Sequence, residues 1–282
     1  MPAHPRRLEA AYRAVPAGSP RYWSWLFAAP AMREPLLGVY ALLGEWRALI
    51  DPAGELAAAY LKLAWWREEI ERLGRGAPVH PISRFLASLP RTGPRAGEVD
   101  FTPLEKTLEA TARQIGGAPL ERGADLEAHA SALWAGPLAV AANFADEPPS
   151  AAAEAVRRTE SALAAALYLD DAISSYRRAA RFGRVVFPVD ELLAANVDNA
   201  DLCSAEPPVH LQSYLEELHR RALQYYSQAS EALPRSEHGS LRHLLVLAAL
   251  GARRASRPQS GPRPLRDLYL AWSTARRAAR RS

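Results

Sequence analysis

Two adjacent carboxylates, Asp170 and Asp171, precede a run of arginines at Arg177, Arg178, Arg181 and Arg184. Carboxylates four residues apart on a helix share a face and together can hold Mg²⁺. This pair lacks that spacing, because Ser174 and Ser175 occupy the i+4 positions. Two readings follow for the pair: a reduced metal site beside the turn, or a polar helix face. The arginines also admit two readings. Their planar, permanently charged forks suit a phosphate or a lipid headgroup, and they equally suit solvated charge beside a loop. The run ends in Gly183-Arg184-x-x-Phe187-Pro188-x-Asp190-x-Leu192, a turn into another helix, where Asp190 reads as an N-terminal cap.

The elements that must position these groups are helices. Alanine, leucine, arginine and glutamate dominate and β-branched runs are scarce. Ser19-Pro20 is a helix-start signal opening a segment that runs to about Ile50, with Pro30 and Pro35 interrupting it. From Pro52 to about Leu73, Leu56, Tyr60, Leu63, Trp66 and Ile70 recur at helical spacing. Another helix begins at His80-Pro81. More are expected near 102–116, 122–145, 149–180, 206–232, 237–255 and 263–280. A short amphipathic start spans Arg6 to Val15, and residues 90–100 and 196–208 read as loops. The expected fold is all-α, with residues 1–282 as one domain ending in a basic helix at about 263–282.

The length of 282 residues is enough for a full core, and the 49% hydrophobic and 23% charged content is ordinary for a globular chain. The single cysteine, Cys203, excludes an internal disulfide framework and a cysteine-based zinc site. No apolar run approaches the roughly 18–20 residues that span a bilayer, and a cytoplasmic location is expected. The net charge of +4 is unevenly placed. Residues 252–282 carry nine arginines against Asp267, or +8, which leaves −4 for the rest. That final helix can lie on an anionic membrane surface, peripheral to the inner membrane; the alternative is a packed helix with a solvated arginine end. Neither a basic groove with stacking residues nor a known motif points to nucleic acid.

Three blocks resemble the squalene/phytoene synthase family. The 167–192 segment, LYLDDAISSYRRAARFGRVVFPVDEL, is similar to its second signature. Residues 26–51, LFAAPAMREPLLGVYALLGEWRALID, are similar to its first. Leu61 to Glu69, followed by Gly76-x-x-Val79-His80-Pro81, resembles its Trp-Arg-Glu-Glu helix and stop. The resemblance implies an all-α isoprenoid synthase fold with a central cavity. It also implies facing aspartates that hold Mg²⁺ against a substrate diphosphate.

Those aspartates are mostly replaced here. Anchoring on Tyr40-Ala41 puts Arg47 and Ala48 at the paired positions of the first motif, with Asp51 the one retained ligand position. The second motif falls on Ser175 and Ala179. An arginine at a ligand position repels Mg²⁺ and binds a phosphate directly. The pattern is closest to the branch with eroded motifs that includes the respiratory complex I assembly factor of this type.

The leading expectation is therefore a catalytically degenerate synthase-like protein without a cofactor. It would bind an isoprenoid-like lipid or a partner protein, with a role in respiratory complex assembly implied by the resemblance. Arg47, Arg177, Arg178, Arg181 and Arg184 would be its anion-binding groups. The alternative is an active Mg²⁺-dependent prenyltransferase on farnesyl or geranylgeranyl diphosphate, with Asp51, Asp170 and Asp171 as a reduced acidic set. Trp23, Trp25, Trp65, Trp66 and Trp134 are candidates to line the cavity, and also ordinary core. His129 reads as a core or boundary histidine, and His80 as structural.

Overall fold

The computed structural model describes residues 15–50, 54–90, 99–144, 152–257 and 263–280. Among these, every regular element is helical. The α-helices are α1 (Pro20–Leu26), α2 (Pro30–Leu49), α3 (Leu56–Gly74), α4 (Pro81–Ser88), α5 (Pro103–Ile115) and α6 (Leu126–Ala142). They continue with α7 (Ala153–Ala180), α8 (Val189–Ala194), α9 (Asn199–Cys203), α10 (Val209–Ala232), α11 (Arg242–Ala255) and α12 (Pro264–Ala279). The expected start at Arg6–Val15 falls almost wholly outside the described residues, as do most of the 90–100 loop and Asp51.

Sequence signals account for several helix starts. The Ser19 hydroxyl accepts from the Tyr22 N–H at 3.1 Å and opens α1. His80 Nδ1 accepts weakly from the Ile82 N–H at 3.3 Å at the start of α4, with Pro81 in the first turn. The segment expected from 19 to 50 with interruptions at Pro30 and Pro35 is two helices, broken at Phe27–Ala29 just before Pro30. Pro35 lies inside α2 without ending it. A proline there removes one helical hydrogen bond, and the burial of α2 outweighs that loss. Leu36, Leu37, Val39, Tyr40, Ala41, Leu42, Leu43 and Trp46 are all buried. A helix apolar on nearly every side belongs in a core.

At the centre lies α7, 28 residues long, or roughly 42 Å at 1.5 Å per residue. It packs against α6 on one side and α10 on the other. Beyond α6 come α5 and then α3; beyond α10 come α11 and then α12. The main core joins buried residues from Val15 to Ala278. A smaller one joins Trp23 of α1 to Val246, Leu250, Ala271 and Ala275. Glycines permit two close crossings. A Cβ at Gly136 of α6 would lie 2.3 Å from the Pro103 carbonyl oxygen of α5, and one at Gly251 of α11 would lie 2.1 Å from the Tyr226 ring of α10.

The Trp-Arg-Glu-Glu block has a structural explanation. Glu69 is fully buried, and its carboxylate accepts from the N–H groups of His80 at 2.7 Å and Val79 at 3.0 Å, and from Arg72 at 2.9 Å. Burial pushes its pKa up, but the bonds from His80, Arg72 and Val79 outweigh that and hold it below its ordinary value. Glu69 thus ties the Gly76–His80 turn and the start of α4 to α3.

One loop expectation needs correction. The 196–208 stretch contains α9, opened by a reciprocal capping box between Asp198 and Asp201. Arg177 and Arg178 belong to the last turn of α7, within the helix expected at 149–180, where cations meet the negative end of the helix.

Candidate functional site

Where the C-terminal halves of α2 and α7 meet α5, α6 and the turn at 184–186, the chain encloses a cavity of about 350 Å³. That volume falls within the roughly 300–1,000 Å³ of small-molecule pockets. Leu43, Trp46, Leu133, Trp134, Val185 and Val186 supply apolar wall. Arg47, Asp171, Ser175, Arg178 and Arg184 supply the charged and polar part.

Arg47 of α2 and Asp171 of α7 form an ion pair across the site. The Arg47 guanidinium also lies over the Trp134 ring at 5.2 Å, and Arg21 approaches the same ring at 5.7 Å. Two cations thus share one aromatic ring, and one of them, Arg47, is paired with the carboxylate. The Arg21 pKa is lowered by burial and by repulsion from Arg47, with Asp171 opposing both. Arg184 donates to the Ile50 carbonyl at 2.8 Å and so ties the turn after α7 to the end of α2. The Tyr168 hydroxyl donates to the Val186 carbonyl at 2.8 Å and holds the same turn. His129 also lines the cavity, edge-on to Tyr168 with ring centres 5.2 Å apart. Burial, helped by Arg113, lowers its pKa to about 4, so its ring is neutral at pH 7.

The structure separates the two acids that are adjacent in sequence. Asp171 faces the cavity. Asp170 does not line it, and accepts a hydrogen bond from the Tyr226 hydroxyl of α10. Burial raises the Asp170 pKa to about 6; the Tyr226 bond and Arg254 oppose that rise, and Asp171 adds to it. A carboxyl raised on folding binds more protons in the native state, so it destabilises the fold as pH rises. That cost is absent below about 3.8, grows between about pH 4 and 6, and is complete above about 6. Asp170→Asn is therefore expected to flatten this slope and to raise stability at about pH 8 by on the order of 2 kcal/mol. Urea unfolding across the pH range measures it; an unchanged slope would show that another group titrates.

The other predicted residues fall as follows. Arg178 and Arg184 line the cavity with Arg47, whereas Arg177 lies over the Tyr176 ring at 5.8 Å and Arg181 is exposed at the end of α7; neither lines it. Of the five candidate tryptophans only Trp134 lines it. Trp23 belongs to the smaller core, and Trp65 and Trp66 pack around His80. Asp190 is not the N-cap of its helix, where Pro188 stands. Its carboxylate accepts from the Gly123 N–H at 2.8 Å and fastens α8 to the turn before α6. Trp46 and Arg21 were not singled out from sequence. Trp46 had the signal of lying beside Arg47; Arg21 had none, because its partners lie on other helices.

A sequence model of squalene/phytoene synthase matches residues 15–274. The chain belongs to the squalene/phytoene synthase family. It is 22% identical over 214 residues to the chloroplastic phytoene synthase 1 of Arabidopsis thaliana, a match that takes in 75% of this chain and 50% of that one. The chain thus spans about half the length of that curated relative. A ligand-bound dehydrosqualene synthase superposes with a TM-score of 0.69 at 14% identity, covering 96% of this chain and 98% of that one. Squalene synthase HpnC from Alicyclobacillus acidocaldarius superposes with a TM-score of 0.60 at 16% identity, covering 97% and 94%. The all-helical isoprenoid synthase fold expected from the sequence is the fold observed.

The family is typically Mg²⁺-dependent, so the donor set decides whether this site suits the metal. Arg47, Ala48, Ser175 and Ala179, the positions that resemblance assigns to metal-holding aspartates, all line the cavity. None is acidic. Among the described residues no three His, Cys, Asp or Glu side chains gather as a metal site. Asp171 is the one carboxylate among the lining residues, and Arg47 neutralises it. The described residues do not fit a pair of hard divalent cations, which take several oxygen ligands each.

Proposed function

We propose that this chain is a catalytically degenerate squalene/phytoene synthase-like protein, one domain over residues 1–282, that binds an isoprenoid-like lipid with an anionic, diphosphate-type head. One observation carries the reading. Four positions that resemblance assigns to metal-holding aspartates face a single cavity, and they present a cation, a hydroxyl and two methyl groups instead. Head-to-head condensation needs the departing diphosphate to be neutralised as it leaves. Arginines bind such a group without divalent ions, while the apolar wall takes the chain.

The direct test is titration with farnesyl diphosphate in EDTA and then in Mg²⁺. Binding in EDTA, unchanged within about twofold by the metal, is expected. Binding seen only with Mg²⁺ would remove the reading. A place in respiratory complex assembly rests on the eroded motifs alone. It predicts less assembled complex I in cells lacking the gene, and unchanged assembly would end it.

A further inference from the structure

The last helix presents two different faces, and only one is packed. Asp267, Ala271, Ala275 and Ala278 recur at helical spacing and are buried. Leu265, Leu268, Tyr269 and Trp272 recur at the same spacing on another side and are exposed, Leu265 by 81% and Tyr269 by 67%. Large apolar side chains in a continuous exposed stripe mark an interaction surface more often than isolated ones do. The helix cannot roll to hide them. Buried Asp267 pairs with Arg253 of α11 at 2.9 Å, which fixes the face that α12 turns inward.

The charge beside the stripe has one sign. Arg266, Arg276, Arg277 and Arg280 are all exposed, and the Arg276 guanidinium lies 5.2 Å over the Trp272 ring at the edge of the stripe. The helix's acid, Asp267, is buried and paired. Among the described residues no helix is long and apolar enough to cross a membrane. An amphipathic helix with Leu, Tyr and Trp on one side and arginines next to them fits the interface plane of an anionic bilayer. The aromatic rings reach the acyl boundary, and the guanidiniums meet lipid phosphates.

We propose that α12 is a peripheral docking surface for anionic membranes, through the Leu265–Tyr269–Trp272 stripe and its flanking arginines. This does not depend on what the cavity binds. The test is sedimentation of the full chain with phosphatidylcholine vesicles, with and without about 30% phosphatidylglycerol, at low and high salt. Binding at least about tenfold stronger to the anionic vesicles, and weakened by salt, is expected. Tyr269→Ser with Trp272→Ser should lower it at least about tenfold, and Arg266→Glu with Arg277→Glu similarly. Both pairs are exposed, so circular dichroism and Tm should be unchanged. No preference for anionic vesicles, or undiminished binding by both double variants, would overturn the proposal. So would a dimer in solution that the Tyr269/Trp272 variant dissolves, because a second copy would then own the stripe.

Discussion

Asp171→Asn is expected to tighten farnesyl diphosphate binding about tenfold in EDTA, and Arg47→Ala to weaken it by about the same factor. The sign of the first effect separates the two readings of the site. In the structure the Asp171 carboxylate neutralises Arg47 and lies near Arg21, two guanidiniums over one indole. Removing that charge while keeping the side-chain shape leaves Arg47, which lines the cavity, available to a diphosphate. A charge-assisted hydrogen bond is worth about 1.5–3 kcal/mol, roughly 10–100-fold. Arg47 and Asp171 are about one-third exposed, at 36% and 33%, so solvent screening puts the effect near the lower end. A metal-holding Asp171 would give the opposite result, with Asn weakening a Mg²⁺-dependent complex. Isothermal titration of both variants measures it.

The second large effect is on stability. Gly136→Ala places a methyl carbon where the Pro103 carbonyl oxygen stands 2.3 Å away, with the Thr107 hydroxyl at 2.9 Å. A backbone oxygen cannot swing aside as a long side chain can, so α5 and α6 must part. Overpacking of this kind costs about 1–3 kcal/mol and occasionally more, while alanine's helix preference returns about 1. The clash is with backbone, which puts the cost at the upper end, so a net loss of about 2 kcal/mol is expected, read as a Tm lower by about 3 °C for a chain of this size. An unchanged Tm would mean that the helices stand further apart. Both helices line the cavity through Thr107, Leu133 and Trp134, so diphosphate binding should weaken as well.

The fold was legible because its evidence is local. Helical spacing, Ser19-Pro20 and His80-Pro81 are each read within a few residues. The five-residue α9 escaped because so short a helix shows barely more than one turn of periodicity. The break at Phe27–Ala29 was marked by Pro30, which opens α2, whereas Pro35 gave a false stop because a proline's local cost does not reveal that the helix around it is buried.

The site was legible only where resemblance supplied the register. Arg47, Ala48, Ser175 and Ala179 meet at one cavity although four α-helices lie between α2 and α7 in the chain. Which face of a helix meets which neighbour is a tertiary fact, so adjacent Asp170 and Asp171 could not be told apart from sequence. One is held by Tyr226 and the other by Arg47. The same limit explains the tryptophans: all lie on helices, but Trp134 faces the cavity while Trp65 and Trp66 pack around His80. Arg21 lies near the site, beside Arg47 over the Trp134 ring, without lining the cavity.

The most direct measurement is turnover. Purified protein incubated with farnesyl or geranylgeranyl diphosphate and Mg²⁺, with products extracted and separated, should yield no squalene- or phytoene-type hydrocarbon and no released pyrophosphate. Condensation product that disappears in Asp51→Ala or Asp171→Ala would contradict the account and establish a working synthase.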